Sequence, residues 1–293
     1  MRRILTIKFG KGYNHLHAYW PSVQVNYKED GENEVFFKGK LVYKAKKFTD
    51  LLNKSYDELV VFGAGPSVNQ MDLSKVKPQT AILVNGAIAL ANKLEGGPFM
   101  CAAFDYAFLW NEKCVKMLED LPAGTRLLTS DDFVAYALRK KRHLLDKLDI
   151  YISFKPDFPH RSKQLTIQDL SKEDFYFGYE AAFSKNPQKG MFDGGTILTW
   201  GLQMAHYLKA KTTYICGLDL GNFNQPHFYE TEKNKVVSKG LLRDYQRIEN
   251  FMRLASEAFA DQNLKIFNCS PVSKLPYSIF AYNEHFLKKT SKI

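Results

Sequence analysis

Gly63-Ala64-Gly65-Pro66-Ser67 directly follows the apolar run Leu59-Val60-Val61-Phe62. A short apolar run that stops at glycine reads as a buried parallel strand. The glycines let the backbone turn sharply and approach a ligand, and Pro66 suits the first turn of a helix whose open N–H groups attract an anion. The chemistry on offer is a phosphate or nucleotide cradle. A dinucleotide fingerprint needs a third glycine, where this chain has Val68, and an acid about 20 residues on to hold a ribose. The next apolar run, Ala81-Ile82-Leu83-Val84, ends instead in Asn85-Gly86. A mononucleotide group therefore fits better than a flavin or nicotinamide.

A second chemical stretch begins at Asp193-Gly194-Gly195-Thr196. Apolar residues follow it at helical spacing, and a further strand leads to Gly217-Leu218-Asp219. A helix opened by Gly194, Gly195 and Thr196 offers backbone N–H groups and a hydroxyl to a carboxylate or phosphate, although Asp193 and Thr196 equally serve as ordinary caps. His227 lies in a polar loop past that strand, where a general base or a phosphate ligand would sit. Ser270 follows the last expected strand and offers another hydroxyl.

The elements that must position these residues alternate. Strands are expected at 59–62, 81–84, 99–104, 126–129, 213–216 and 264–267, and helices at 88–94, 109–118, 134–148 and 239–261. That order predicts an α/β, Rossmann-like, mostly parallel sheet with helices on both faces. In such sheets ligands bind beyond the carboxyl ends of the strands. The rule selects residues 63–67, Asn85-Gly86, Asp105-Tyr106 and 130–132. Residues 1–57 read differently, as a small β-rich extension with turns at Asp30-Gly31 and Lys38-Gly39. The main domain spans 58–293. Its segment at about 135–190 lacks clear periodicity, as lids and acceptor-binding regions often do.

Composition narrows the function classes. The 293 residues contain 45% apolar and 14% aromatic residues, enough for a packed core. No stretch is long and apolar enough to span a membrane, and the N-terminus lacks a secretory pattern, so a cytoplasmic location is expected. Cys101, Cys114, Cys216 and Cys269 are scattered with no C-x-x-C pair, which predicts reduced thiols and no zinc site. The net charge of +10 points to an anionic partner. Basic clusters stand at 44–47, 139–142 and 288–292. With no nucleic-acid-binding signature in view, a phosphorylated substrate or an anionic membrane surface is favoured over nucleic acid.

Taken together, Gly63-x-Gly65-Pro66-Ser67 after a strand, Asn85 at the next strand end, and the Gly-Gly-Thr helix leading to Tyr214-Ile215-Cys216-Gly217-Leu218-Asp219 resemble bacterial CMP-sialic-acid-dependent sialyltransferases of lipooligosaccharide synthesis. They also resemble the glycosyltransferase-like domain of flagellin-modifying motility accessory factors. Asn85-Gly86-Ala87-Ile88 and Pro98-Phe99-Met100-Cys101 followed by Asp105 look closer to the lipopolysaccharide-core 3-deoxy-manno-octulosonate (Kdo) transferase group.

The resemblance covers residues 58–110 and 190–275. It implies a GT-A-variant fold and transfer of a 2-keto-3-deoxy sugar acid, Kdo before sialic acid, from a CMP donor to a hydroxyl of lipopolysaccharide or lipooligosaccharide. It assigns Gly63, Ala64, Gly65, Pro66, Ser67, Asn85, Asp219 and Ser270 to the nucleotide, and Gly194, Gly195 and Thr196 to the sugar acid. His227 or Asp105 supplies the base, with no metal or other cofactor, at the inner face of the membrane; a homo-oligomer is left open.

Two departures stand out. Ala64 replaces an asparagine usual between the glycines in the sialyltransferases, and Gly221 replaces a tyrosine shortly after the aspartate. Competing readings are a diphosphokinase-like enzyme holding magnesium on Asp131, Asp132 and Asp219, and a non-enzymatic basic binding protein.

Overall fold

The computed structural model describes residues 6–7, 9–18, 22–159, 162–221, 225–231 and 243–289. An eight-stranded sheet runs through the chain in the spatial order β13-β12-β11-β4-β5-β6-β7-β8, and every neighbouring pair is parallel. The strands are β4 (Glu58–Phe62), β5 (Ala81–Val84), β6 (Met100–Ala102), β7 (Arg126–Ser130), β8 (Asp149–Ser153), β11 (Thr212–Cys216), β12 (Lys265–Asn268) and β13 (Ala281–Tyr282). From β4 the chain steps outward to β8. It then returns to lay β11 on the other side of β4 and steps outward again to β13. The reversal between β4 and β11 is a topological switch point, where such sheets open a crevice at their carboxyl ends.

Both faces of the sheet are buried, which explains why its strands read as continuous apolar runs. Along β4, Val60 and Phe62 face one core, and Leu59 and Val61 face the other. The first core is completed by α1 (Glu112–Glu119), α2 (Asp131–Lys140) and α3 (His143–Lys147), and the second by α4 (Leu198–Tyr207) and α5 (Tyr245–Asp261).

The N-terminal extension is a three-stranded antiparallel sheet of β1 (Val23–Asn26), β2 (Glu34–Phe37) and β3 (Lys40–Lys44). It lies along the outer edge of β8. The Lys46 N–H donates to the Ile150 carbonyl at 2.8 Å, the Tyr43 hydroxyl donates to the Leu148 carbonyl at 3.2 Å, and Asn33 Nδ2 donates to the Ile152 carbonyl at 3.4 Å. Covering an edge strand in this way removes a site for wrong pairing. The lysines at 44–47 form ion pairs, Lys44 with Glu32, Lys46 with Asp149 and Lys47 with Asp30.

Several expected elements differ. The helix expected over 134–148 is two, because Lys141 leaves helical geometry at φ −144°, ψ 42°. The helix expected over 109–118 is a tight turn, Tyr106–Trp110, followed by α1, whose start is fixed by Asn111 Oδ1 accepting the Lys113 N–H at 3.0 Å. Residues 85–93 and 66–70 are 3₁₀ rather than α-helical. Within 135–190, β8 and an antiparallel hairpin of β9 (Phe175–Gly178) and β10 (Ala181–Ser184) are regular structure, and the buried Phe175 and Phe183 belong to the α4–α5 core. Residues 222–224, 239–242 and 290–292, parts of the expected loop, last helix and basic tail, lie outside the described residues.

Candidate functional site

A cavity of about 570 Å³ opens at the switch point. Its wall carries Gly63, Ala64, Gly65, Pro66, Asn85, Asp105, Gly195, Thr196, Asp219 and His227. Beyond the ends of β6, β7 and β8 lies a second cavity of about 350 Å³, which shares Asn85, Asp105, Gly195, Thr196 and Ile197 with the first. The two adjoin through those residues. Ten of the thirteen sequence-derived candidates thus meet at the main cavity; Ser67, Ser270 and Gly194 line neither space.

The glycine loop owes its composition first to chain packing. The Gly63 N–H donates to the Cys216 carbonyl at 2.8 Å and the Gly65 N–H to the Gly217 carbonyl at 3.1 Å, extending the β4–β11 ladder into the loops. A Cβ at Gly63 would stand 2.7 Å from the Gly217 oxygen, and one at Gly65 would stand 2.6 Å from both that oxygen and the Asp219 carboxylate. Only glycine allows the two loops to lie this close.

Behind the loop, Asp219 occupies the turn start at Pro66 that was expected to receive a phosphate. The Ser67 N–H donates to its Oδ2 and the Ser67 hydroxyl to its Oδ1, both at 2.6 Å. Ser270 Oγ lies 3.3 Å from Ser67 Oγ and accepts the Leu218 N–H at 2.9 Å. Ser67 and Ser270 are 1% and 0% exposed, so in place of direct nucleotide contact they tie together the ends of β4, β11 and β12. Burial raises the Asp219 carboxyl above its ordinary value, against the lowering pull of its hydrogen bonds to Ser67 and Ser270.

The start of α4 differs from expectation in the same way. The Gly194 N–H donates to Thr199 Oγ1 at 3.3 Å, and the Gly195 N–H to Asp193 Oδ1 at 3.0 Å. Gly194 is packed so tightly that a Cβ would meet the Phe251 ring at 2.4 Å. The Thr196, Ile197 and Leu198 N–H groups remain at the helix start, and these three residues line the main cavity. Helix-start N–H groups of this kind favour an anion.

His227 is held by a residue the sequence reading missed. Its Nδ1 lies 2.9 Å from Glu230 Oε2, its backbone N–H donates to the same oxygen at 3.0 Å, and the Glu230 N–H returns to the His227 carbonyl at 2.9 Å. The Glu230 side chain is 8% exposed and that of His227 is 23% exposed. A carboxylate on Nδ1 fixes the ring and its tautomer, as it does for a catalytic imidazole. Tyr229, also missed, stacks on His227 with ring centroids 5.5 Å apart and fills the space beside Gly86, where a Cβ would meet its ring at 2.1 Å. The Phe228 N–H donates to the Ala64 carbonyl at 3.3 Å and so docks this loop on the glycine loop. The His-x-x-Glu spacing was the signal available in the sequence.

Asn85 takes a left-handed backbone, φ 47°, and its Oδ1 is buried with no hydrogen-bond donor. Asp105 is exposed at the junction of the cavities, its Oδ1 accepting the Ala107 N–H at 2.8 Å. Cys114 lines the main cavity as a protonated thiol, pushed up to about 11 by burial and by Glu230. The carboxylates of the magnesium reading are dispersed. Asp219 is tied to Ser67, Asp131 accepts from the Tyr27 hydroxyl at 2.8 Å, and Asp132 lines the second cavity. Among the described residues no group of three His, Cys, Asp or Glu side chains is placed to hold a metal ion. Nor is any described helix long and apolar enough to cross a membrane.

No family model matches the chain. It is 25% identical over 242 residues to a probable 3-deoxy-manno-octulosonic acid transferase of Escherichia coli (strain K12), covering 78% of this chain and 83% of that protein. It is 23% identical over 247 residues to the Salmonella typhimurium (strain LT2) protein of the same description, covering 79% and 88%. The MAf glycosyltransferase structure from Magnetospirillum magneticum AMB-1 superposes with a TM-score of 0.45 at 14% identity, over 78% of this chain and 33% of that one, so the chain spans about a third of its length. The chain is glycosyltransferase-like, with weak similarity over most of its length to probable Kdo transferases, as the CMP-ulosonate transferase resemblance implies.

Proposed function

We propose that the protein transfers a 2-keto-3-deoxy sugar acid, Kdo in preference to sialic acid, from a CMP donor to a hydroxyl of lipopolysaccharide or lipooligosaccharide at the inner face of the membrane. The observation that carries this reading is the switch-point cavity, where the glycine loop, the start of α4 and His227, held from behind by Glu230, face one space. The nucleotide lies against residues 63–66 and Asn85, with its phosphate at the Thr196, Ile197 and Leu198 N–H groups. In the transfer step the acceptor oxygen bonds to the anomeric carbon and its proton passes to Asp105. The bond from that carbon to the phosphate oxygen breaks, with its electron pair leaving on CMP. His227, oriented by Glu230, hydrogen-bonds the departing phosphate. Charge builds on groups already surrounded by fixed donors, which is the efficient way to stabilise it. We further propose that no metal is required.

Calorimetry with CMP tests the nucleotide assignment, with binding at sub-millimolar CMP expected; no binding at millimolar CMP overturns it. A screen of CMP-Kdo against CMP-sialic acid, read by donor hydrolysis, identifies the sugar. Hydrolysis should persist in EDTA, and its loss there would overturn the metal-free step.

A further inference from the structure

The second cavity adjoins the transfer point through Asp105, the base of the proposed step. Its wall carries Asp105, Ser130, Asp132 and Lys155 beside the aromatic side chains of Phe104 and Trp200. Asp132 is held in place, since its Oδ1 accepts from the Ser130 hydroxyl. The one lysine in the wall is committed, with Lys155 Nζ 3.1 Å from Asp193 Oδ2, and Arg247 lies 3.8 Å from the same oxygen. Asp105 and Asp132 take part in no ion pair among the described residues. An anion entering this space would meet Asp105 and Asp132, neither of which has a cation at ion-pair distance among the described residues, while the charge of Lys155 reaches Asp132 from its pair with Asp193. A polyol would meet acceptors for its O–H groups and an apolar wall for its C–H face.

We propose that this cavity is the acceptor subsite, that it takes a neutral, hydroxyl-rich sugar unit rather than a phosphorylated one, and that Asp132 binds an acceptor hydroxyl and holds it towards Asp105. The inference rests on the transferase reading and adds to it the chemical class of the acceptor unit. It also gives a role to residues 130–132, the one strand-end set the donor site leaves unused. Burial raises the Asp132 carboxyl, opposed by its hydrogen bond to Ser130 and the charge of Lys155 and assisted by the charge of Asp105. A carboxyl accepts a hydroxyl's hydrogen bond when ionised and donates one to a hydroxyl oxygen when protonated.

Two measurements test this. Asp132→Asn keeps the shape of the side chain and should raise the acceptor KM about tenfold while the Kd for CMP stays within about twofold. The acceptor probe is the core oligosaccharide released from lipopolysaccharide by deacylation. An acceptor KM unchanged in the variant, or a CMP Kd that weakens in step with it, overturns the assignment. The second measurement uses the wild-type protein and so does not depend on how the variant folds. The same oligosaccharide after dephosphorylation with hydrogen fluoride should keep kcat/KM within about threefold, and a loss of about tenfold or more overturns the neutral-acceptor claim. If CMP does not bind at all, the transferase reading and this inference fall together. If CMP binds but the acceptor results go the other way, this inference falls alone.

Discussion

The two adjoining cavities are built from different materials. The main cavity has five glycines on its lining, Gly63, Gly65, Gly86, Gly195 and Gly217, which bring backbone to its wall. The second is walled by side chains from the far strands: Phe104 after β6, Ser130 and Asp132 at β7, Lys155 after β8. The contrast follows from topology. At the switch point β4 and β11 diverge only after their loops have zipped together, so any side chain there would collide, as the 2.6 Å approach of a Gly65 Cβ to Gly217 and Asp219 shows. Towards β8 the strand ends are free to carry long side chains into the space. The switch-point half adds glycine-lined backbone suited to a phosphate common to many donors, the far half adds side chains that can specify a particular partner, and the Thr196 and Ile197 helix start lies between them.

The harshest way to break this comparison is to put a methyl group into the glycine-lined half. Gly65→Ala should cost on the order of 3 kcal/mol, because neither a carbonyl in a parallel ladder nor a buried carboxylate with two hydrogen bonds from Ser67 can yield cheaply. Thermal melting would register the loss, and calorimetry should show CMP binding abolished. A variant that melts like wild type and binds CMP equally well would show that the glycine loop is not the nucleotide wall.

Next in size is His227. Its replacement by Ala should slow transfer by about 100-fold, since it removes the group that meets the leaving phosphate. Glu230→Gln should cost about tenfold, because the amide can still hold the ring through one hydrogen bond but no longer stabilises a charged imidazole. Turnover unchanged in His227→Ala would remove the loop from the mechanism. Equal losses in both variants would make Glu230 as necessary as the imidazole itself.

The same division explains what could be read in the sequence. Residues 59–62, 81–84 and 213–216 were legible because strands buried on both faces are apolar throughout, and the glycines that follow mark where they end. The roles of Ser67 and Asp219 were not. Both stand at a strand end, as ligand-binding residues do, and only the 2.6 Å contacts across 152 positions of sequence show that they bind each other. Lys155 was invisible because its place depends on β8, an edge strand whose short run Asp149, Ile150, Tyr151 and Ile152 was submerged in a segment of mixed character. Glu230 had a local signal, three residues from His227, but its pairing depends on the turn closed by the Glu230 N–H and the His227 carbonyl. Short-range patterns thus located the strands and the cavity, while the partners inside it were decided by long-range pairing.

The smallest expected effect sharpens the comparison most, because it asks whether Asp219 belongs to the wall or to the ligand. If the wall reading holds, Asp219→Asn should leave the CMP Kd within about threefold while lowering stability by about 1 kcal/mol, a shift in Tm of about 2 to 4 °C. The amide oxygen can still accept the Ser67 N–H, so only part of the network is lost. The pH dependence provides an independent check. Burial raises the folded carboxyl above its unfolded value, so the folded state holds this proton to higher pH than the unfolded chain does. The group's contribution to stability is therefore full below the unfolded value near 4 and declines as pH rises through the raised folded value. Asparagine has no such dependence. The stability gap between wild type and Asp219→Asn should accordingly narrow as pH rises from about 4 towards neutrality. A gap that widens over that range would mean that the hydrogen bonds from Ser67 and Ser270 outweigh burial. A CMP affinity that collapses in the variant would move Asp219 from the wall into the nucleotide site.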